Sequence, residues 1–147
     1  MVKTASQPPG MMERGSAAPD GQSSELRSFD PGSINQKAFD YYSRLRRIQA
    51  YVENHPDEAI PVRRAARISG MSETYFSSFF RQKVGVTFRD WRAHQKILLA
   101  VQLLEARNRT ITDVAMETGF GDLRTFQRTF KRHTGLTPRQ YKRVVSP

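Results

Sequence analysis

The amino-acid sequence predicts an all-α fold in which two similar helix–turn–helix units are joined by one long connecting helix. Apolar residues recur at helical spacing from Phe39 onward. Glycines and N-capping residues divide this pattern into about seven helices. No segment shows the alternation or the composition of a strand. These three observations predict the fold class.

Residues 1–37 precede the helical pattern, and we expect them to form a disordered tail. They are rich in Gly, Pro and Ser, and their few apolar residues show no period. Such a segment cannot bury enough apolar surface to offset the entropy lost on ordering. The predicted helical body therefore spans residues 38–145.

The first two helical regions of the body differ in length. A first amphipathic helix is predicted from Phe39 to about Asn54. A first helix–turn–helix unit follows at about residues 61–84. Its short helix opens at Pro61, and its longer helix has Ser72 as N-cap.

The connecting helix is predicted at about residues 88–106, because residues 87–90 read as a capping box. The second unit follows at about residues 111–133, with its first helix beginning near Thr112 and its second at Asp122. Thr137 and Pro138 open the last helix.

The two units are repeats of one another. Five residues of the first unit recur, with the same identity, 50 positions later in the second. The first unit has Phe76, Phe80, Gly85, Thr87 and Arg89. The second unit has Phe126, Phe130, Gly135, Thr137 and Arg139. Upstream of the turn the offset is 49, so the second turn is one residue longer. Two copies in register indicate two helix–turn–helix units.

The charge distribution favours a polyanionic partner. The chain carries a formal net charge of +10, and residues 38–147 hold all of this excess. A body this basic usually binds nucleic acid or an anionic membrane surface. We expect no membrane association, because the apolar faces are needed for the core. RNA is disfavoured because its major groove is too narrow for a helix.

The second helix of each unit carries the candidate DNA contacts. In the second unit Arg124, Gln127 and Arg128 share the face opposite Phe126 and Phe130. Arg can bind guanine and Gln adenine with two hydrogen bonds each, so we expect these three residues to read bases. The equivalent residues of the first unit are expected to read bases more weakly: Thr74, Ser77 and Ser78. The expected phosphate contacts are Arg81, Lys131 and Arg132.

An enzyme is the least supported function class. The three histidines, His55, His94 and His133, lie far apart in the sequence without metal-ligand spacing. The sequence holds no cysteine, and no nucleophile and base can be paired. We therefore expect no catalytic residue, no cofactor and no metal.

The body resembles the AraC/XylS family of transcription regulators. The residues that carry the resemblance are 66–72 (ARISGMS), Phe76, Phe80 and Gly85 in the first unit, and 114–120 (VAMETGF), 126–131 (FQRTFK), 135–138 (GLTP) and Tyr141 in the second. The resemblance implies a seven-helix domain that binds double-stranded DNA as a monomer. It also implies two recognition helices in adjacent major-groove segments.

Two positions depart from the family pattern. Ser78 stands where the first recognition helix usually carries Arg, and Lys96 stands where the connecting helix usually carries Arg. The resemblance further implies a bacterial cytoplasmic protein that is associated with the nucleoid when bound to DNA. It also implies an activator of the kind that consists of the DNA-binding domain alone.

An alternative function stays open. Family members that activate transcription also contact RNA polymerase. The alternative function is that of a co-regulator that binds RNA polymerase or another regulator and binds DNA weakly or nonspecifically. The chain is alternatively a truncated fragment of a longer regulator.

Overall fold

The chain folds into helices throughout the part that a computed structural model describes, residues 29–106 and 108–145. Within these ranges there are eight α-helices, one 3-10 turn at Pro31–Ser33 and no β-strand. The helices are α1 (Lys37–Tyr41), α2 (Ser43–Asn54), α3 (Val62–Ser69), α4 (Glu73–Val84), α5 (Phe88–Glu105), α6 (Ile111–Glu117), α7 (Leu123–Thr134) and α8 (Pro138–Val145). The all-α prediction is confirmed. The disorder predicted for residues 1–28 concerns residues outside the described ranges.

Side chains at the predicted positions begin several of these helices. The Ser72 hydroxyl accepts from the Tyr75 N–H at the start of α4, and the Thr87 hydroxyl accepts from the Asp90 N–H at the start of α5. Thr137 and Gln140 exchange backbone and side-chain hydrogen bonds at the start of α8. These bonds satisfy N–H groups that a helix leaves without an internal partner.

The predicted first helix is in fact two helices. Tyr42 has extended backbone angles (φ −102°, ψ 114°) and separates α1 from α2. Its ring packs edge-on against Phe79 of α4, with 5.2 Å between the ring centroids. No glycine or proline marks the break, so no local sequence signal predicts it. It raises the number of helices from the expected seven to eight.

Residues 29–36, which we call the N-terminal strap, are ordered, so the predicted tail extends too far. Phe29 and Ile34 are each only 8% exposed and belong to the core. The Phe29 N–H donates to the Arg132 carbonyl at 2.9 Å, and the Asn35 N–H donates to the Val84 carbonyl at 2.8 Å. Two apolar anchors, each contributing about 1.5–3 kcal/mol when buried, order this short segment despite its Gly and Pro content.

Two hydrophobic cores lie along α5. The first is filled by side chains of α1 to α4 and by Phe88 and Trp91 from the beginning of α5. The second is filled by α6 and α7 and by Ile97, Ala100 and Leu104 from the rest of α5. One continuous helix therefore belongs to both units, as predicted for the connecting helix. No helix in the described ranges is long and apolar enough to cross a membrane.

Candidate nucleic-acid interface

Helix α7 is held with one face in the second core. Asp122 caps its first turn by accepting from the Thr125 N–H at 2.7 Å, and hydrogen bonds from Thr125 lower the pKa of this carboxyl. Phe126, Phe130 and His133 are buried at successive turns. This burial fixes which side of the helix faces solvent.

The solvent face of α7 is cationic. We call it the α7 face, and its four residues are all exposed: Arg124, Gln127, Arg128 and Lys131. Their spacing of three, four and seven residues places them on one side of the helix. Among the described residues none of its three cations forms a salt bridge, whereas Arg132 does. The α7 face thus offers three positive charges and an amide to a partner.

Arg132 does not belong to this face. It is half-buried, and its Nη1 donates to the Asp90 carboxylate of α5 at 3.3 Å. The expected phosphate contact at Arg132 is therefore not supported, because this side chain joins α7 to the connecting helix. No local pattern in the sequence indicates this contact, because the partner lies 42 positions away.

Helix α4 presents the corresponding face of the first unit. Phe76, Phe80 and Val84 are buried in the first core. The opposite residues, Thr74, Ser77, Ser78 and Arg81, are all exposed. Arg81 is the single cation of this set, so the α4 face is far less basic than the α7 face.

A groove of about 770 Å³ lies between the two units, beside the α7 face. Its walls come from the start of α3, the first half of α5, the turn before α7 and one side of α7. Asp90 is the acidic residue that lines the groove. Five basic side chains line it as well: Arg89, Arg92, Lys96, Arg128 and Arg132. The positive potential of the α7 face therefore continues into this groove.

Arg92 ties the connecting helix to the loop between α2 and α3. It is 6% exposed, and its Nη2 donates to the carbonyl oxygens of His55, Pro56 and Glu58 at 2.9–3.2 Å. One turn further along α5, the Lys96 ammonium donates to the Gly119 carbonyl at 3.2 Å. Burial and the neighbouring Arg92 lower the pKa of Lys96.

Two buried histidines lie between α5 and α7. The Nδ1 atoms of His94 and His133 are 3.2 Å apart, so one ring donates a hydrogen bond to the other. The Phe29 ring stacks on His133 with 4.3 Å between the ring centroids. Burial, together with the charges of His94 and Arg132, lowers the pKa of His133 to about 4.

Sequence reasoning missed the roles of Arg92, Lys96 and the histidine pair. Each acts on a residue that is distant in the sequence, and no spacing rule signals such a contact. One indication was present for Arg92, since it falls one residue after Trp91 and close to the core stripe of α5. Within the described residues no group of three or more His, Cys, Asp or Glu side chains is placed to hold a metal.

Comparison with known proteins gives the family. The model of the family described as "Helix-turn-helix domain" matches residues 65–144, more than half of the chain. Regulatory protein SoxS of Escherichia coli is 32% identical over 93 residues, which cover 63% of this chain and 87% of SoxS. The uncharacterized HTH-type transcriptional regulator YobQ of Bacillus subtilis is 31% identical over 96 residues, which cover 65% of this chain and 40% of YobQ.

Solved structures share the fold. The DNA-binding domain of AdpA, a global transcriptional factor that was crystallised with a target DNA, has a TM-score of 0.63 and 28% identity, covering 66% of this chain and 87% of that one. An AraC-type regulator from Chromobacterium violaceum has a TM-score of 0.65 at 21% identity, covering 71% and 93%, which shows the fold alone. The chain belongs to the AraC/XylS family of helix–turn–helix transcriptional regulators.

Proposed function

We propose that this protein binds double-stranded DNA sequence-specifically and regulates transcription, with α4 and α7 lying in adjacent segments of the major groove. The observation that carries the proposal is the α7 face, which is cationic, exposed and fixed by the burial of Phe126 and Phe130 behind it. An exposed second helix of a helix–turn–helix unit has the position that enters a major groove.

The proposal assigns a role to each residue of the α4 face and of the α7 face. Arg124, Gln127 and Arg128 read base edges, and Lys131 binds a phosphate. In the first unit Thr74, Ser77 and Ser78 read bases weakly and Arg81 binds a phosphate. The cations of the groove between the units attract the DNA backbone that joins the two half-sites.

The proposed mode of binding needs one copy of the chain. The two units already present two reading helices on a shared connecting helix, so a second copy is not required to contact two boxes. Acting on chromosomal DNA, the protein works in the bacterial cytoplasm and is associated with the nucleoid when bound.

Selection of bound sequences from a random double-stranded DNA pool tests the proposal. At about 150 mM salt, screening weakens purely electrostatic binding. We expect enrichment of two short boxes about one helical turn, roughly 34 Å, apart. The variant Arg124→Ala with Arg128→Ala should lose this enrichment while keeping its helical content. Wild-type protein that binds without enrichment would overturn the proposal.

A second candidate function is binding to RNA polymerase or to another regulator. The weakly charged α4 face favours it, because a first unit with little affinity for DNA leaves a surface for a protein partner. In that case the Arg124→Ala, Arg128→Ala variant keeps its affinity for the partner protein in a pull-down with purified RNA polymerase. Loss of binding to both DNA and polymerase in this variant would contradict a separate protein-binding role.

A further inference from the structure

We infer that the N-terminal strap sets the relative position of the two recognition helices and thereby the spacing of the two DNA boxes. This inference rests on the proposed function, since it concerns how two reading helices are held together. It assigns a positioning role to Phe29 and Asn35, which lie outside both exposed recognition faces.

The strap is bonded to the same end of both recognition helices. The Asn35 N–H donates to the carbonyl of Val84, the last residue of α4, and its Nδ2 donates to the Lys83 carbonyl at 3.1 Å. The Phe29 N–H donates to the Arg132 carbonyl in the last turn of α7. These carbonyls lack partners within their own helices, so the strap supplies bonds that the helix ends need.

The strap is short enough to act as a tie. Asn35 follows Phe29 by only a few residues, and an extended chain of that length spans at most about 20 Å. The 3-10 turn at Pro31–Ser33 shortens the reach further. The C-terminal ends of α4 and α7 therefore cannot move apart beyond this reach without breaking a strap contact.

Each end of the strap is also anchored by close packing. On the first unit the Ser33 carbonyl oxygen lies so near Gly85 that a Cβ there would be 2.6 Å away. On the second unit the Phe29 ring is stacked on His133 and lies 5.1 Å from the His94 ring, centroid to centroid. The strap thus fits both units tightly, and removing the Phe29 ring takes away the packing at its second-unit end and leaves the Phe29 N–H bond to the Arg132 carbonyl.

Contacts made by the connecting helix also join the two units. Arg92 and Lys96 fix the α2–α3 loop and the turn at Gly119 to α5. The Gly119 contact lies just before the start of α7, whereas the strap binds the last turn of α7. At that last turn the Arg132–Asp90 ion pair and the His94–His133 hydrogen bond already join α7 to α5. The strap adds a tie that runs from the end of α7 to the end of α4.

The test measures affinity as a function of box spacing. The targets are the selected two-box DNA, the same DNA with one to three base pairs inserted or removed between the boxes, and DNA with one box. We expect wild-type affinity to fall by roughly 5–150-fold off the optimal spacing, the range of a typical coupling between two sites. In Phe29→Ala this penalty should shrink to less than about threefold, with one-box affinity unchanged.

Controls separate positioning from stability. Leu103→Ala, at a partly buried position of the second core, also lowers the free energy of unfolding and should keep the wild-type spacing profile. Phe29→Leu should restore much of the penalty, and Asn35→Ala, which keeps the backbone bond, should reduce it partly. These two variants carry the test if Phe29→Ala does not fold.

The outcomes are distinguishable. A spacing profile in Phe29→Ala that parallels the wild type overturns the role of the strap and leaves the proposed function intact. A wild-type protein with no preference for sequence or spacing overturns the proposed function first, and the strap inference with it.

Discussion

Gly119 packs directly against the backbone of Asp57, so that the turn of the second unit touches the α2–α3 loop of the first. A Cβ on Gly119 would lie 2.7 Å from the Asp57 carbonyl oxygen. Gly119 also has a positive φ of +87°, which favours glycine. Both the contact and the conformation require the absence of a side chain at this position.

Replacing Gly119 should therefore cost more than replacing a glycine that is only conformationally strained. Gly135 has φ +86°, and a Cβ there would meet no atom within 4 Å. Gly135→Ala should lower the free energy of unfolding by about 1–2 kcal/mol through backbone strain alone. Gly119→Ala should lower it by at least about 1 kcal/mol more, because the loop must also move. Urea denaturation of both variants measures the difference, and equal losses would contradict the contact.

Arg92 should be essential for stability although it is a basic residue on the connecting helix. Arg92→Ala removes three hydrogen bonds to carbonyls of the α2–α3 loop and should cost about 2–4 kcal/mol. Arg89→Ala, an exposed neighbour, should cost less than about 0.5 kcal/mol. Chemical denaturation compares the two variants. A small loss in the free energy of unfolding for Arg92→Ala would contradict a stabilising role for these hydrogen bonds.

Introducing arginine at position 78 should strengthen the first unit. Ser78 and Arg128 hold equivalent positions in the two repeats, and Ser78 is exposed. Ser78→Arg should add one bidentate base contact worth ~1–3 kcal/mol and create a preference for guanine in the first box. Gln82→Arg adds the same charge elsewhere on α4 and should raise affinity without a new base preference. Selection from a random DNA pool gives the base preference of each variant. If Ser78→Arg and Gln82→Arg select identical sequences, position 78 does not read a base.

Replacing Lys131 and replacing Arg128 should affect DNA binding in different ways, the first through its salt dependence and the second through its discrimination between bases. Lys131→Ala removes a proposed phosphate contact, so the slope of log affinity against log salt should become less negative by about 0.9 and all sequences should weaken alike. Arg128→Ala should instead reduce discrimination at one base position by ~1–3 kcal/mol. Titrations of specific and unrelated DNA at several salt concentrations separate them. Full discrimination in Arg128→Ala would remove Arg128 from the base-reading residues.

Acid should destabilise the protein through His133. Its pKa is lowered from 6.5 to about 4 in the folded chain, so between these values the unfolded chain binds more protons. The free energy of unfolding should therefore fall as pH drops from 6.5 toward 4, by on the order of 1–3 kcal/mol. His133→Gln should show a smaller fall than the wild type over this window. Parallel profiles for the two proteins would contradict the assignment.

The local features of the fold were predictable because they depend on near neighbours in the sequence. The spacing of Phe126 and Phe130 predicts both the buried stripe of α7 and the exposed cations opposite it. Ser72 and Thr137 predict helix starts because a cap bonds within three residues of itself. The fold class and the exposed residues of the α7 face follow from such short-range patterns.

Contacts between distant residues were not predictable. Arg132 lies next to the α7 face on a helical wheel, and only its bond to Asp90 shows that it faces inward. Tyr42 continues the apolar period of a helix, yet the helix breaks there and the Tyr42 ring packs against the distant Phe79. Two apolar residues, Phe29 and Ile34, are not enough to produce a periodic pattern in the sequence, although both side chains are buried.

The unequal charge of the α4 and α7 faces has a consequence for promoter geometry. In the proposed binding mode, a single copy with three cations on its α7 face and one on its α4 face has no two-fold symmetry, so its site would not be a palindrome. Such a protein sits on its site in one orientation only. Inverting the site would reverse the bound protein along the DNA. A surface that faced the start of transcription would then face away from it.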